Sequence, residues 1–171
     1  LDLNSVNMVS LSANPSAMKV VEDEDPFDET YNDRTVVVYQ SGSVVDVLEH
    51  QYFDVDSISL DEPMSGVLSG KEFALLYTTT GGHDAYLLDL ASNDLLEYRL
   101  ENPAISMHLA PTEEFAIALT RAENGMGTGI GGLYDKSPGM EILDLTGDKA
   151  KSRAYLLEGQ GVGLAFSATE T

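Results

Sequence analysis

A unit of about 40 residues recurs along the chain, and this repeat constrains the fold more than any other feature. Two apolar residues, an aspartate and another apolar residue occur in succession three times, at residues 44–47, 87–90 and 142–145. A leucine followed by a short polar turn and a new apolar segment marks the junction between units, at Leu3, Leu60, Leu100 and Leu157. Successive leucines are 57, 40 and 57 residues apart, which indicates a repeat architecture.

Each unit is composed of short apolar segments of strand length. They are rich in Val, Leu, Ile and Tyr, and turn residues such as Gly81 and Gly82 interrupt them. Apolar residues spaced three or four apart over a dozen positions, which a helix requires, are nearly absent. Several short strands at regular spacing therefore predict an all-β fold. The strand candidates lie at residues 35–39, 44–47, 73–77, 86–90, 115–119, 140–145 and 154–157.

Four strands in a unit of this length predict the antiparallel blades of a β-propeller. We expect a single domain over residues 1–171, with about three blades and a partial fourth. The repeats are predicted at about 4–60, 61–100 and 101–157, and a further blade begins at 158–171. The alternative is a self-contained β-sandwich, for which the regular spacing would be a coincidence.

A second motif sets the register between units. Residues 72–78 align with residues 114–120, since both begin with Glu-Phe-Ala, and residues 18–21 are the weaker counterpart in the first unit. Residues 35–40 then have no counterpart, so that the first unit is predicted to contain one strand more than the others.

The last complete unit resembles the WD40-like and YVTN-like β-propeller repeats. It has a strand at 105–110, a Pro-Thr-Glu-Glu turn, a strand at 115–120, a strand that ends in Leu-Asp-Leu-Thr-Gly, and a strand at 153–157. Residues 88–92 repeat the ending of the third strand as Leu-Asp-Leu-Ala-Ser. The resemblance implies a propeller scaffold that binds a protein or a small ligand through loops at one end of a central channel.

Acidic residues outnumber basic residues by 29 to 9, which gives a formal net charge of -20. This charge disfavours binding to nucleic acid and to anionic lipid, because both need clustered Lys and Arg. No apolar run is long enough to cross a bilayer, so no membrane span is predicted. Cys is absent, which removes disulfides and thiolate metal sites. Together with the excess of acid, its absence indicates a bacterial extracytoplasmic location, either periplasmic or secreted.

No motif for catalysis or for cofactor binding is present, so no catalytic or cofactor-binding residue is predicted. Gly-x-Ser-x-Gly does not occur, and the glycine-rich residues 125–132 lack the Lys of a phosphate-binding loop. The sequence favours a non-enzymatic scaffold or binding module. One alternative is a hydrolase or lactonase-type propeller with a divalent metal in its channel, where His108 on the innermost strand would be a ligand. The other is a calcium-binding surface protein.

The aspartate of the four-residue pattern recurs once in each unit, as Asp46, Asp89 and Asp144. A residue repeated in this way is predicted to be structural rather than catalytic. We expect each aspartate to cap the tight turn between the third and fourth strands by accepting backbone N–H bonds.

Three blades are fewer than a closed propeller contains. We therefore expect either that the chain is part of a longer propeller or that copies of it self-associate to complete a ring.

Residues 22–33 contain seven acidic residues and are the most acidic part of the chain. Hard cations bind clustered oxygen ligands, and Asp23, Asp25 and Asp28 are the predicted ligands of a metal ion such as Ca²⁺. A solvated acidic insertion is the alternative, because the spacing matches no EF-hand loop.

The calcium prediction is tested by melting the chain in Ca²⁺ and in EDTA. A bound ion raises the unfolding midpoint by mass action. Replacement of Asp23, Asp25 and Asp28 by Asn keeps their size and removes their charge, so it should abolish the shift. Equal midpoints of the unsubstituted chain in Ca²⁺ and in EDTA contradict a calcium site.

Overall fold

The computed structural model describes residues 8–21, 33–39, 41–121, 139–157 and 164–167, and this part of the chain forms twelve β-strands and no helix. The strands make three four-stranded antiparallel sheets, and in each sheet their spatial order is their order in the chain. The predicted all-β architecture of repeated four-stranded sheets is confirmed. A β-sandwich would have two sheets, whereas the described residues form three.

The strands of each sheet are listed here in chain order. The first sheet consists of β1 (Ala17–Val21), β2 (Arg34–Val38), β3 (Val44–Glu49) and β4 (Val55–Ser59). The second consists of β5 (Gly66–Ser69), β6 (Phe73–Tyr77), β7 (Asp84–Asp89) and β8 (Leu95–Arg99). The third consists of β9 (Ala104–Leu109), β10 (Phe115–Thr120), β11 (Gly139–Asp144) and β12 (Lys151–Leu156). Of the predicted further blade, residues 164–167 are described, and they form no strand.

Two compact units divide the chain, one of Leu1–Leu76 with Leu88–Asp94, the other of Tyr77–Leu87 with Leu95–Thr171. The first unit contains the whole first sheet and β5, and the second contains the whole third sheet and β8. No helix long and apolar enough for a membrane span occurs within the described residues.

The middle strands of the sheets are apolar on both faces because both faces are buried. Val36, Val37 and Val38 of β2 are at most 2 % exposed, and Leu75 and Leu76 of β6 are fully buried. A strand with two buried faces has a continuous apolar run instead of alternation. This is why these segments stand out in the sequence as strands.

The fourth strands, in contrast, carry polar and charged side chains that are exposed. Asp56, Ser57 and Ser59 on β4 are exposed, as are Lys151 and Arg153 on β12. Charged and polar side chains on an edge strand discourage pairing with a further strand.

A recurring backbone hydrogen bond fixes the correspondence between the sheets. In each sheet the residue after the third strand donates its N–H to the carbonyl of the residue before the second strand. The three bonds join His50 to Asp33 (3.0 Å), Leu90 to Glu72 (3.0 Å) and Leu145 to Glu114 (2.9 Å). The junction leucines repeat similarly, since Leu60 donates to Ser43 (2.9 Å) and Leu100 donates to His83 (2.8 Å).

This correspondence corrects the predicted register of the first repeat, residues 4–60. Residues 18–21 lie in the first strand, β1, and residues 35–38 lie in the second strand, β2. The first repeat therefore has four strands like the others and no additional one. The residue equivalent to Asp89 and Asp144 is Glu49, the last residue of β3. Asp46 was predicted to be equivalent to Asp89 and Asp144, and this was wrong. The aspartate of the four-residue sequence pattern lies three positions before the end of β3, whereas in β7 and β11 it is the last strand residue.

Candidate functional site

Asp46 is a buried hydrogen-bond centre of the first sheet. It lies in the middle of β3 and is fully buried. Its Oδ1 accepts from the hydroxyls of Ser12 (2.8 Å) and Ser57 (2.7 Å). Its Oδ2 accepts from the Tyr39 hydroxyl (2.5 Å) and from the Ser12 N–H (2.9 Å). The predicted turn cap at Asp46 is wrong, because all four donors hold the carboxylate inside the sheet.

Glu141 is the corresponding centre of the third sheet. It is the third residue of β11, as Asp46 is of β3, and it is 1 % exposed. Its carboxylate accepts from the Ser152 hydroxyl of β12 (2.5 Å) and from the Glu101 N–H (2.9 Å). In both sheets a carboxylate on the third strand therefore joins a serine of the fourth strand to the segment that leads into the first. An acidic residue between apolar neighbours of a strand is the sequence signal for such a centre.

The charge states of Asp46 and Tyr39 are fixed by their contact. Burial raises the pKa of Asp46, but hydrogen bonds from Tyr39, Ser12 and Ser57 outweigh it and hold the pKa below its usual value. Burial, the hydrogen bond to Asp46 and the charge of Asp46 raise the pKa of Tyr39 to about 12. The pair is therefore a permanent structural anchor and not an acid–base couple at neutral pH.

The two remaining recurring aspartates are turn caps, as predicted. Asp89 Oδ1 accepts from the N–H groups of Ala91 (2.8 Å) and Ser92 (2.9 Å). Asp144 Oδ1 accepts from the N–H of Thr146 (3.0 Å) and from its hydroxyl (2.7 Å). These bonds lower the pKa of Asp144. Both aspartates end a third strand and shape the turn that follows.

The turn between β3 and β4, residues 50–54, carries two exposed aromatic side chains and is here called the aromatic hairpin. Tyr52 is 65 % exposed and Phe53 is 48 % exposed. Phe53 has φ of 60°, in the left-handed region that bulky residues rarely occupy. Its counterpart in the turn between β7 and β8 is Asn93, with the same φ and the same hydrogen-bond pattern. Asn adopts this conformation more readily than Phe, so that Phe53 is held in it at an energetic cost.

One face of the third sheet forms a groove of about 670 Å³ that combines aromatic and charged side chains. Its lining includes Phe115, Ile142, Arg153 and Tyr155. The Arg153 guanidinium lies 5.2 Å from the centre of the Tyr155 ring, and the Phe115 ring meets Phe166 edge to face at 5.9 Å. Two acidic residues, Glu114 and Asp144, and two basic residues, Lys151 and Arg153, line the same groove, so that its charged side chains are balanced.

The histidines have separate polar neighbours. His108 Nε2 lies 3.0 Å from the Ser106 hydroxyl on β9, and His50 Nε2 lies 2.7 Å from the Thr35 hydroxyl. His83 Nδ1 lies 3.0 Å from a backbone carbonyl. In the part of the chain that the structure describes, no group of three His, Asp or Glu could hold a metal ion.

The metal ligands predicted at Asp23, Asp25 and Asp28 lie outside the described residues. Calcium binding there stays a prediction.

The chain is similar in three dimensions to β-propeller proteins. It superposes on hydrazine synthase of Kuenenia stuttgartiensis with a TM-score of 0.53 and 11% identity, over 72% of this chain and 34% of that one. For the dihydro-heme d1 dehydrogenase NirN in complex with DHE, the TM-score is 0.60 and the identity 14%, over 88% and 31%. The chain thus spans about a third of each neighbour, and the likeness shows the propeller fold alone. No family model matches the chain, and no curated protein matches it in sequence.

Replacing Asp46 by Ala is expected to lower the free energy of unfolding by about 3 kcal/mol, because the buried hydroxyl of Tyr39 then lacks an acceptor and the bonds from Ser12 and Ser57 are lost as well. Asp89→Ala is the matched control. It removes bonds at an exposed turn and should cost less than about 1 kcal/mol. Urea unfolding at neutral pH measures both losses, and equal losses would contradict the assignment of Asp46 as a buried centre.

The same variant has a defined pH dependence. Since the pKa of Asp46 is lower in the folded chain than in the unfolded chain, its stabilisation is fully present above the unfolded value of about 4 and is lost as the pH falls through the folded value. The stability difference between the wild-type chain and D46A should therefore shrink in acid. A difference that stays constant below pH 4 is the opposing result.

Tyr39→Phe tests the alkaline side. A phenol whose pKa is raised in the folded state stabilises the fold below its unfolded pKa of about 10, and this contribution is lost as the pH rises towards 12. Wild-type stability should therefore fall between pH 10 and 12 more steeply than that of Y39F, as measured by urea midpoints. Parallel pH profiles would show that Tyr39 ionises normally.

Proposed function

We propose that this chain is a non-enzymatic β-propeller scaffold that binds a partner protein through its aromatic hairpin. The exposed Tyr52 and Phe53, with Phe53 in the left-handed conformation, carry the proposal. The fold supplies the scaffold, since propellers present turns and loops on a rigid set of sheets. The proposed WD40-like or YVTN-like membership rests on the strand order and the Leu-Asp-Leu endings of the repeats.

The strain at Phe53 argues for a binding role. The left-handed conformation costs a non-glycine residue about 1–2 kcal/mol, and Asn93 shows that a residue suited to it is compatible with the same turn. The half-exposed Phe53 ring does not recover that cost through full burial in the core. An unfavourable residue kept at an exposed turn is a basis for a functional hypothesis.

The chemistry of the hairpin defines the partner. Two aromatic rings on a protruding turn fit a pocket of another macromolecule, whereas a small ligand needs a concave site. Asp54 and Asp56 follow the rings in the sequence and are exposed. The partner is therefore a protein with an apolar pocket and a rim of Lys or Arg.

The proposed bacterial extracytoplasmic setting has separate support. It rests on the absence of Cys and on the net charge of -20.

The proposal is tested by selecting a phage-displayed random peptide library on the immobilised chain. Selected peptides should combine apolar and basic residues. Their affinity should fall at least about tenfold for Tyr52→Ser and for Phe53→Asn, which corresponds to about 1.4 kcal/mol per variant. F53N places the residue of the equivalent turn at this position, so it should also raise the urea midpoint while it weakens binding.

Tyr155→Ser is the control, because it removes a partly exposed aromatic ring from another sheet. Its affinity for the selected peptides should match that of the wild-type chain. Peptides that bind a Y52S/F53N double variant as tightly as the wild type would overturn the proposal.

A further inference from the structure

The charges of the chain are unevenly distributed between its sheets. Residues 35–98 contain eleven acidic residues and one basic residue, Lys71, so their formal net charge is -10. Residues 139–157, which include β11 and β12, contain three acidic and three basic residues, so their charges balance. The acidic excess of the described strands therefore lies mainly in the first two sheets.

Most of the eleven carboxylates are exposed. Seven have this environment: Asp54, Asp56, Asp61, Glu72, Asp89, Asp94 and Glu97. None of the seven makes a salt bridge with Lys or Arg in the part of the chain that the structure describes. The two buried carboxylates differ, since Asp84 pairs with Arg99 (2.8 Å) and Asp46 accepts four hydrogen bonds. The charge of the exposed carboxylates is therefore left for dissolved cations to screen.

Six of the seven exposed carboxylates lie in one compact unit, Leu1–Leu76 with Leu88–Asp94. Within this unit the Asn93 side-chain amide donates to Asp56 Oδ2 (3.0 Å) and joins the turn after β7 to β4. Asp94 directly follows Asn93, and the Asp89 carbonyl accepts from the Asn93 N–H (2.9 Å). Carboxylates from two sheets are thus held near one residue, where their like charges repel.

The range of this repulsion depends on the salt concentration. The screening length is about 30 Å at 10 mM salt and about 3 Å at 1 M. At low salt the repulsion therefore extends between well-separated carboxylates of the unit, whereas at high salt it is confined to close neighbours. Self-repulsion destabilises the compact state relative to the unfolded chain, in which the charges lie farther apart.

We propose that dissolved salt controls the stability of this compact unit, and that the chain is suited to a medium of high ionic strength. Monovalent cations act by general screening and occupy no fixed site. The strands β11 and β12, whose charges balance, gain little from salt. One chain thus combines a salt-sensitive part with a salt-insensitive part, and this property does not depend on a partner protein.

Urea unfolding tests the salt dependence, with EDTA present so that divalent cations make no contribution. The urea midpoint of the wild-type chain should rise by at least about 0.5 M between about 10 mM and about 1 M NaCl. Choline chloride should have the same effect, because screening does not depend on the identity of the cation. A midpoint that does not change with salt, or one that rises in NaCl alone, would overturn the proposal.

Matched substitutions separate local repulsion from net charge. Asp94→Asn and Asp148→Asn each remove one negative charge and keep the size of the side chain. D94N should raise the midpoint at low salt and reduce its salt dependence. Asp56→Asn should do the same, since its amide oxygen can still accept from Asn93. Asp148 precedes Lys149, so D148N removes an attraction and should not raise the low-salt midpoint. Equal gains from D94N and D148N would contradict a local origin.

Hydrogen exchange locates the effect, because it reports local as well as global opening. From low to high salt, the protection of amides in β2, β3 and β4 should increase at least about threefold more than that of amides in β10, β11 and β12. D94N should reduce this difference and D148N should not. An equal increase in both sets of strands is the result that refutes a salt-sensitive first unit.

Discussion

A buried carboxylate on the third strand is the interaction on which each outer sheet depends. Asp46 gathers four donors from a connecting segment, the end of β2 and β4, and Glu141 gathers donors from a connecting segment and β12. Ladder hydrogen bonds join neighbouring strands only, whereas these carboxylates tie the segment before the first strand to the far side of the sheet. Their burial is tolerated because the donors replace the water that an ionised group loses.

The sequence allowed the architecture to be predicted because burial leaves a direct mark on the middle strands. Val36, Val37 and Val38 are continuous because neither face meets solvent, and the junction leucines Leu60 and Leu100 recur because their N–H groups make equivalent bonds. The register of the first repeat could not be predicted from burial and spacing. The insertion between β1 and β2 displaced the alignment, and a four-letter pattern does not distinguish a strand end from a strand centre.

The candidate sites were less predictable because they depend on contacts distant in sequence. Nothing in the sequence around Ser12 indicates that both its N–H and its hydroxyl bind Asp46. The aromatic hairpin becomes apparent only when its backbone is compared with that of the turn at Asn93, because Tyr52 and Phe53 alone resemble core residues. The composition showed an excess of acidic residues, but it did not show that Lys151 and Arg153 lie exposed on the edge strand β12.

The sequence separation of the carboxylate bonds bears on the order in which a sheet folds. Ser12 and Asp46 are 34 residues apart, and Glu101 and Glu141 are 40 residues apart. Each bond therefore closes a loop about as long as the repeat itself, at an entropic cost that adjacent hairpins do not have. Hairpins can form early and locally, whereas the buried carboxylate is satisfied only when the whole unit is in place. We therefore expect each outer sheet to close late, after its hairpins have formed, so that a repeat folds as one kinetic unit.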